Sequence, residues 1–480
     1  MRAGGVALAL WALIGASASA QVTPHPREMG LPEAPSPRPD PEDHAVTLAN
    51  GVTAYIAEDR TVPLVTVTAF VNAGYADEPD GAAEALAAAY RRAGPAGMGA
   101  AAFHEAITAM VADYRVVLDA ELLELTLDVP AEDGADALAL LARLVVDGPE
   151  VTEADLSAAR SQADAASSEG SGGPSYDGSL EAATALLRQH LLRDVAYAPR
   201  PRMDAASRLT LADVQDFHRD RFVGGNVTLA VGGAMDAART EERLGAFERV
   251  PDGARHRRPT VEAPPPPDGL VLHTYPADKL QGWLVLGAAL PVVPLEEEAA
   301  LDVMNYIIGG GHFDTRLFRE ARDKRGLTND ASGFLEPATH GPGTYTFRTY
   351  GRPEAVRLLL DLTLAEIEKM RSGPVSEEEL FVARGALADG VFAVRYRDGW
   401  STARSFAEEH ARHGDVSRSA TYQERVRAVS DDDVLRAATK YLQPDGMTGV
   451  LIGPIDQIRA APPMEGERAL EDYARVVEGR

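Results

Sequence analysis

Apolar residues recur along this chain in two registers. Leu64-Val65-Thr66-Val67-Thr68-Ala69-Phe70-Val71 and Leu123-Glu124-Leu125-Thr126-Leu127-Asp128-Val129 alternate apolar with polar side chains, the period of a strand lying on a core. With the runs at 45–49, 52–58 and 226–233, they predict strands at 45–49, 52–58, 64–73, 120–129 and 226–233. Longer stretches rich in Ala, Leu and Glu predict helices at 81–92, 101–111, 133–147, 152–166 and 180–193, and another over 209–218. Asp133 or Thr152 is placed to act as an N-cap. The Gly- and Ser-rich stretch 167–175 predicts a flexible loop between two helices.

The second half repeats the first. Thr152-Glu153-Ala154-Asp155-Leu156 through Arg160 matches Ser376-Glu377-Glu378-Glu379-Leu380 through Arg384, an offset of 224 (376 − 152). Leu209-Thr210-Leu211-Ala212-Asp213-Val214 matches Val429-Ser430-Asp431-Asp432-Asp433-Val434, and Leu229-Ala230-Val231-Gly232 matches Val450-Leu451-Ile452-Gly453. Two copies in one order predict two domains of one fold, at 44–255 and 269–460. A chain of 480 residues divides naturally into two cores. Between them, 256–268 holds four consecutive prolines, 264–267, and predicts a semi-rigid strap. The Pro-rich stretch 21–43 predicts a disordered or extended tether, and 461–480 a charged tail that is helical or frayed.

Composition narrows the setting. Met1–Ala20 has one Arg, an apolar run from Val6 to Gly15 and the small-x-small ending Ala18-Ser19-Ala20, which predicts a cleaved secretory signal. Its apolar run is too short for a membrane span, and no Cys is present for lipid attachment or disulfides. An exported chain, periplasmic or secreted and without an integral membrane segment, is expected. The formal charge of −26 becomes −27 once Arg2 leaves with the signal. That sign disfavours nucleic acid and anionic lipid as partners.

The informative helix is Gly81-Ala82-Ala83-Glu84-Ala85-Leu86-Ala87-Ala88-Ala89-Tyr90-Arg91-Arg92, which read alone is a framework helix. It follows Asn50-Gly51-Val52-Thr53-Ala54-Tyr55 and the strand ending Val71-Asn72-Ala73-Gly74-Tyr75-Ala76-Asp77-Glu78-Pro79. In that setting it resembles the first domain of the M16 (pitrilysin, or insulinase-like) zinc peptidases. There the helix carries His-x-x-Glu-His just after a Gly-x-Ala. Laid onto this chain, those positions are Glu84, Ala87 and Ala88, and the third ligand position falls near Ala165, beside Asp164. A catalytic zinc needs three donor side chains and an open position for water, with a base in reach. Ala offers neither ligand nor base. The resemblance therefore implies an α+β fold, two homologous α/β-roll domains forming half of a clamshell. Each would be a mostly antiparallel sheet with helices packed on it. It also implies a family member without its own catalytic residues or metal, any zinc residing in a partner.

Further stretches bear on this. Gly309-Gly310-Gly311-His312-Phe313-Asp314-Thr315-Arg316-Leu317-Phe318 lacks the ending of a phosphate loop. Continued through Arg322 and Gly326-Leu327-Thr328-Asn329, it resembles the M16 segment in which an Arg and a Tyr, seven residues apart, hold the substrate backbone. The Arg position is Arg322; the Tyr position is Asn329. A peptide-binding role for Arg322 and an ion pair with Asp323 or Glu320 stay open as alternatives. His104-Glu105-Ala106-Ile107-Thr108 begins like a zinc helix but ends in Thr. Glu409-His410-Ala411-Arg412-His413 reads as a solvated charged face. No Gly-x-Ser-x-Gly occurs.

The resemblance implies a non-catalytic subunit of an exported M16-type peptidase, closing the chamber and helping bind peptide beside a zinc-bearing sister chain in a heterodimer. The alternatives are a stand-alone peptide-binding or assembly protein, and a zinc endopeptidase with rearranged ligands such as Glu84, His104 and Asp164.

Overall fold

The computed structural model describes residues 37–77, 81–168, 179–193, 195–198 and 208–479, with the backbone alone over 161–168. The signal segment and most of the tether lie outside the described residues, as does most of the loop 167–175. Two six-stranded sheets organise the rest. In the first, β1 (Ala45–Thr47), β2 (Thr53–Glu58), β3 (Leu64–Val71), β4 (Asp113–Leu118), β5 (Leu123–Pro130) and β6 (Val227–Gly233) lie in the order β1-β2-β6-β3-β5-β4. Every neighbouring pair is antiparallel except β2 with β6. The helices of this half used below are α1 (Ala82–Arg92), α2 (Ala100–Ala109), α3 (Gly134–Asp147), α4 (Glu153–Ser168), α5 (Leu180–Leu192) and α6 (Leu211–Arg221).

The second sheet comprises β7 (Val271–Pro276), β8 (Gly282–Leu290), β9 (Ala331–Glu336), β10 (Gly343–Gly351), β11 (Thr448–Gly453) and β12 (Arg475–Glu478), in the order β12-β7-β11-β8-β10-β9. Strand for strand, β2-β6-β3-β5-β4 corresponds to β7-β11-β8-β10-β9, and the internal parallel pair recurs as β7 with β11. The helices used below are α7 (Leu295–Asn305), α8 (Val356–Ser372), α9 (Glu377–Gly385), α10 (Gly399–His413), α11 (Tyr422–Ala428) and α12 (Asp431–Tyr441). The repeat extends to capping chemistry. Thr210 with Asp213 starts α6 and Ser430 with Asp433 starts α12, each as a reciprocal capping box. Thr152 does make a local bond, donating its Oγ1 to Asp155, while Asp133 makes no side-chain cap bond.

Each sheet receives one helix from the other half of the chain. Helix α5 packs on β8, β10 and β11, where Ala183, Leu187, Val285, Val450 and Ile452 are sealed together. Helix α10 packs on β2, β3 and β6, bringing Ala403, Phe406 and Ala407 against Tyr55, Phe70 and Ala230. The approach is close enough to require glycine. A Cβ on Gly232 of β6 would stand 2.4 Å from the Cα of Trp400.

Polar contacts reinforce the exchange. Arg404 of α10 forks onto Glu124 of β5 at 2.6 and 2.9 Å and lies over the Phe70 ring. Tyr55 Oη and His410 Nδ1 are 3.0 Å apart, and Arg412 reaches Asp119 at 2.7 Å. The strap between the halves is pinned by Arg258, which is 4% exposed and grips Asp77, 2% exposed, at 2.7 and 2.5 Å. Glu121, equally buried, accepts from Tyr197 Oη and from the backbone N–H groups of Thr339 and His340.

Three expectations need correction. The 461–480 tail is not a charged helix or fray, because Leu470–Tyr473 forms one helical turn and β12 extends the second sheet parallel to β7. Two apolar residues, Val476 and Val477, suffice once an open strand edge supplies the backbone partners. The described end of the 21–43 stretch is not a free tether. Arg38 donates to Ser419 Oγ and to the Val416 carbonyl and lies over the Phe406 ring, and Pro41–Asp43 form a 3-10 turn. Finally, α10 does not present a solvated charged face. It fills the junction of the two halves, and burial pushes the His413 imidazole down to about 4 and the His410 imidazole down as well.

Candidate functional site

Helix α1 begins after Gly81, whose φ of 94° is open to glycine and strained for other residues. Small side chains let it lie close to its neighbours, α4, α6 and β4. Glu84 sits in its first turn and is buried. One turn on, Ala87 is fully sealed, at 0% exposure, and Ala88 is half-buried. The position to which the resemblance assigns a catalytic carboxylate is thus a methyl group in a core that also holds Leu86 and Tyr90.

Glu84 is the one donor among the three positions. Burial pushes its carboxyl up to about 7, and only its own backbone N–H works against that rise. Its Oε2 is sealed from solvent, with no hydrogen-bond partner among the described residues. A zinc ion there would need two further donors and an approach for water. His104 does not provide one: it is exposed on α2, with Nδ1 at 2.7 Å from the Ala100 carbonyl. Asp164 and Ala165 fall on α4, at positions whose side chains lie outside the described residues. Among the described residues, no three His, Cys, Asp or Glu side chains gather as a metal would require. The residues present do not fit a catalytic zinc, and no hydrolytic step can be routed through them.

The second set of residues lies on the other sheet's helical cover. The three glycines serve packing. A Cβ on Gly309 would stand 2.5 Å from the Gly333 backbone N, so the turn after α7 rides directly on β9. The chain then reaches Phe313, which is 71% exposed, and Arg316–Phe318, capped by Thr315. Arg322 is exposed, with its guanidinium 4.9 Å from the Phe318 ring centre and 5.9 Å from that of Phe313. The two rings meet edge to face at 5.1 Å. The ion pair considered for Arg322 does not form. Glu320 is taken by Lys324 and Arg325, and no carboxylate pairs with Arg322 among the described residues. Asn329 is exposed in the loop before β9. Phe313 is the residue that motif reading passed over. Its only sequence signal is an aromatic side chain directly after three glycines and a His.

Comparison with known proteins agrees with this architecture. Residues 208–387 match the Peptidase M16 inactive domain, from α6 through the strap and into the second half. An uncharacterized zinc protease of Mycobacterium leprae is 28% identical over 197 residues, covering 39% of this chain and 42% of that protein. Zinc protease PqqE of Helicobacter pylori is 23% identical over 257 residues, covering 52% and 57%. The chain thus spans about half the length of the curated relatives it matches. Two solved structures share the fold. A peptidase M16 inactive domain from Pseudomonas fluorescens superposes with TM-score 0.69 at 22% identity, over 85% of this chain and 98% of its own. A putative M16-like peptidase from Alicyclobacillus acidocaldarius gives 0.68 at 13% identity, over 85% and 97%. Two repeated mixed sheets shared with M16-like structures and a match to the Peptidase M16 inactive domain over 208–387 make this chain similar to M16 peptidases, with Glu84, Ala87 and Ala88 where the resemblance puts a His-x-x-Glu-His motif.

Proposed function

We propose that this chain is the non-catalytic subunit of an exported M16-type peptidase. It pairs with a zinc-bearing sister chain, closes the chamber and helps hold the peptide. The observation that carries this reading is Ala87, a sealed methyl where the resemblance puts a hydrolytic base, within a scaffold of two repeated six-stranded sheets. Arg322, resting on Phe318 and Phe313 without a carboxylate partner, offers a guanidinium to a peptide carbonyl or carboxylate. The apolar run and small-x-small ending within 1–20 support an exported pair, and in this reading the zinc belongs to the sister.

The test is purification of the native chain under mild conditions from its own source. The expected result is a stable complex with a second M16 chain that bears an intact His-x-x-Glu-His. Peptide cleavage should require both chains and be lost in chelator. Recovery of this chain alone or as a homodimer would refute the pairing and favour a stand-alone peptide-binding or assembly role. Cleavage by this chain alone, with stoichiometric zinc, would refute the non-catalytic reading.

A further inference from the structure

A cavity of about 570 Å³ opens where α7, α10 and α11 meet the segments 290–293 and 335–339. It is far from α1 in the chain, and the peptidase reading assigns it nothing. Its size lies within the range of about 300–1,000 Å³ typical of small-molecule sites. One part of the wall is apolar, from Val293, Leu301 and Leu335.

The remaining wall is charged, and its pairing is incomplete. Four guanidinium groups line the cavity, and three are engaged by carboxylates. Arg418 and Arg425 share Glu298, at 3.1 and 3.0 Å, and Arg412 holds Asp119 and Glu408. Arg395 has no carboxylate within ion-pair distance among the described residues, and its guanidinium lies 5.5 Å from the ring centre of Tyr422. On the acidic side, Asp302 accepts a 2.7 Å hydrogen bond from Tyr422 Oη, and Glu409 accepts one from the Ser419 N–H at 3.0 Å. Neither has a cation at ion-pair distance among the described residues. The Tyr396 hydroxyl is buried on the same wall, with Ser419 near it only in poor hydrogen-bond geometry.

A cation and two carboxylates with no direct ion-pair partner among the described residues, together with an apolar patch on one wall, describe the complement of a zwitterion with an apolar body. We propose that this cavity binds a short peptide with free ends and apolar side chains, its carboxylate on Arg395 and its ammonium on Asp302 and Glu409. A planar guanidinium held beside an aromatic ring presents a fork suited to a two-point grip on a carboxylate. The apolar side chain covers Val293, Leu301 and Leu335 and leaves no bare apolar wall in contact with water. The proposal does not depend on the sister chain and applies to this subunit alone.

The test is calorimetric titration of the full chain with Val-Leu, with its C-terminal amide and with its N-acetyl form. Val-Leu is expected to bind, and loss of charge at either end to weaken binding at least about tenfold. Arg395 is exposed, so Arg395→Gln keeps the fold. That variant is expected to lose the preference for Val-Leu over its amide while binding the amide as before. No binding of Val-Leu up to about 10 mM would overturn the proposal. Equal binding of the three ligands, or an unchanged preference in the Arg395→Gln variant, would also overturn it.

Discussion

Glu84→Gln isolates the consequence of burying an unpaired carboxyl in the first turn of α1. In the folded chain the Glu84 carboxyl titrates near about 7 instead of its ordinary 4.5, because burial disfavours the anion and no cation offsets it. The rise makes the folded chain the stronger proton binder between those two values. Below 4.5 both folded and unfolded chains are protonated here, and the carboxyl exerts no charge penalty. As pH climbs through the window the folded chain must either keep a proton or bury a charge, so stability falls and reaches its lower level above about 7. At about 1.4 kcal/mol per tenfold in the proton equilibrium, the full difference is ~3 kcal/mol. An amide of the same shape cannot ionise. It costs ~1 kcal/mol for one poorly satisfied polar group, leaving a net gain of ~2 kcal/mol at pH about 8 and a small loss near pH about 4.5. In a chain of this length that gain raises Tm at pH about 8 by a few degrees. Thermal unfolding of both proteins across this range, with and without chelator, decides the matter. A Gln variant less stable than the parent at high pH, or a difference that does not vary with pH, would refute the burial argument. A parent protein that loses stability in chelator while the variant does not would show that Glu84 holds a metal.

Ala87→Glu restores one family side chain at a sealed position. It is expected to destabilise by ~3 kcal/mol or more in urea unfolding, through overpacking and a buried charge, with no gain of peptidase activity. Arg258→Met removes the cation from Asp77, which stays buried. The expected loss is about 3–5 kcal/mol, read as a lower urea midpoint. Gly232→Ala places a methyl against the start of α10, so the two halves should part more readily. Limited proteolysis of the strap 256–268 should speed up while far-UV circular dichroism stays near that of the parent.

How much of this was legible in the residues depends on what each pattern reports. Alternation reports a face, so β3 and β5 could be placed from their side chains alone. Strand β4, an edge strand whose side chains are all exposed or half-buried, gave no such contrast. The repeat at 152 and 376 could be read directly because it survives in the capping residues. The partners of α5 and α10 could not be read, since an apolar stripe such as Ala403, Phe406 and Ala407 shows that a helix is covered, not by which sheet. His410 and Arg412 misled for a related reason: a polar group that meets Tyr55 or Asp119 across a junction looks in sequence like one that meets water. At the motif positions the reading was direct, because a missing ligand atom is visible in any residue name, whereas the heightened proton affinity of Glu84 belongs to its surroundings. The exchange of α5 and α10 also bears on why both halves are kept. Without the first sheet, α10 would expose Phe406 and strand Arg404, and without α5 the second sheet would expose Val285, Val450 and Ile452. Each half completes the core of the other. Selection on a function of either half therefore holds the other in place.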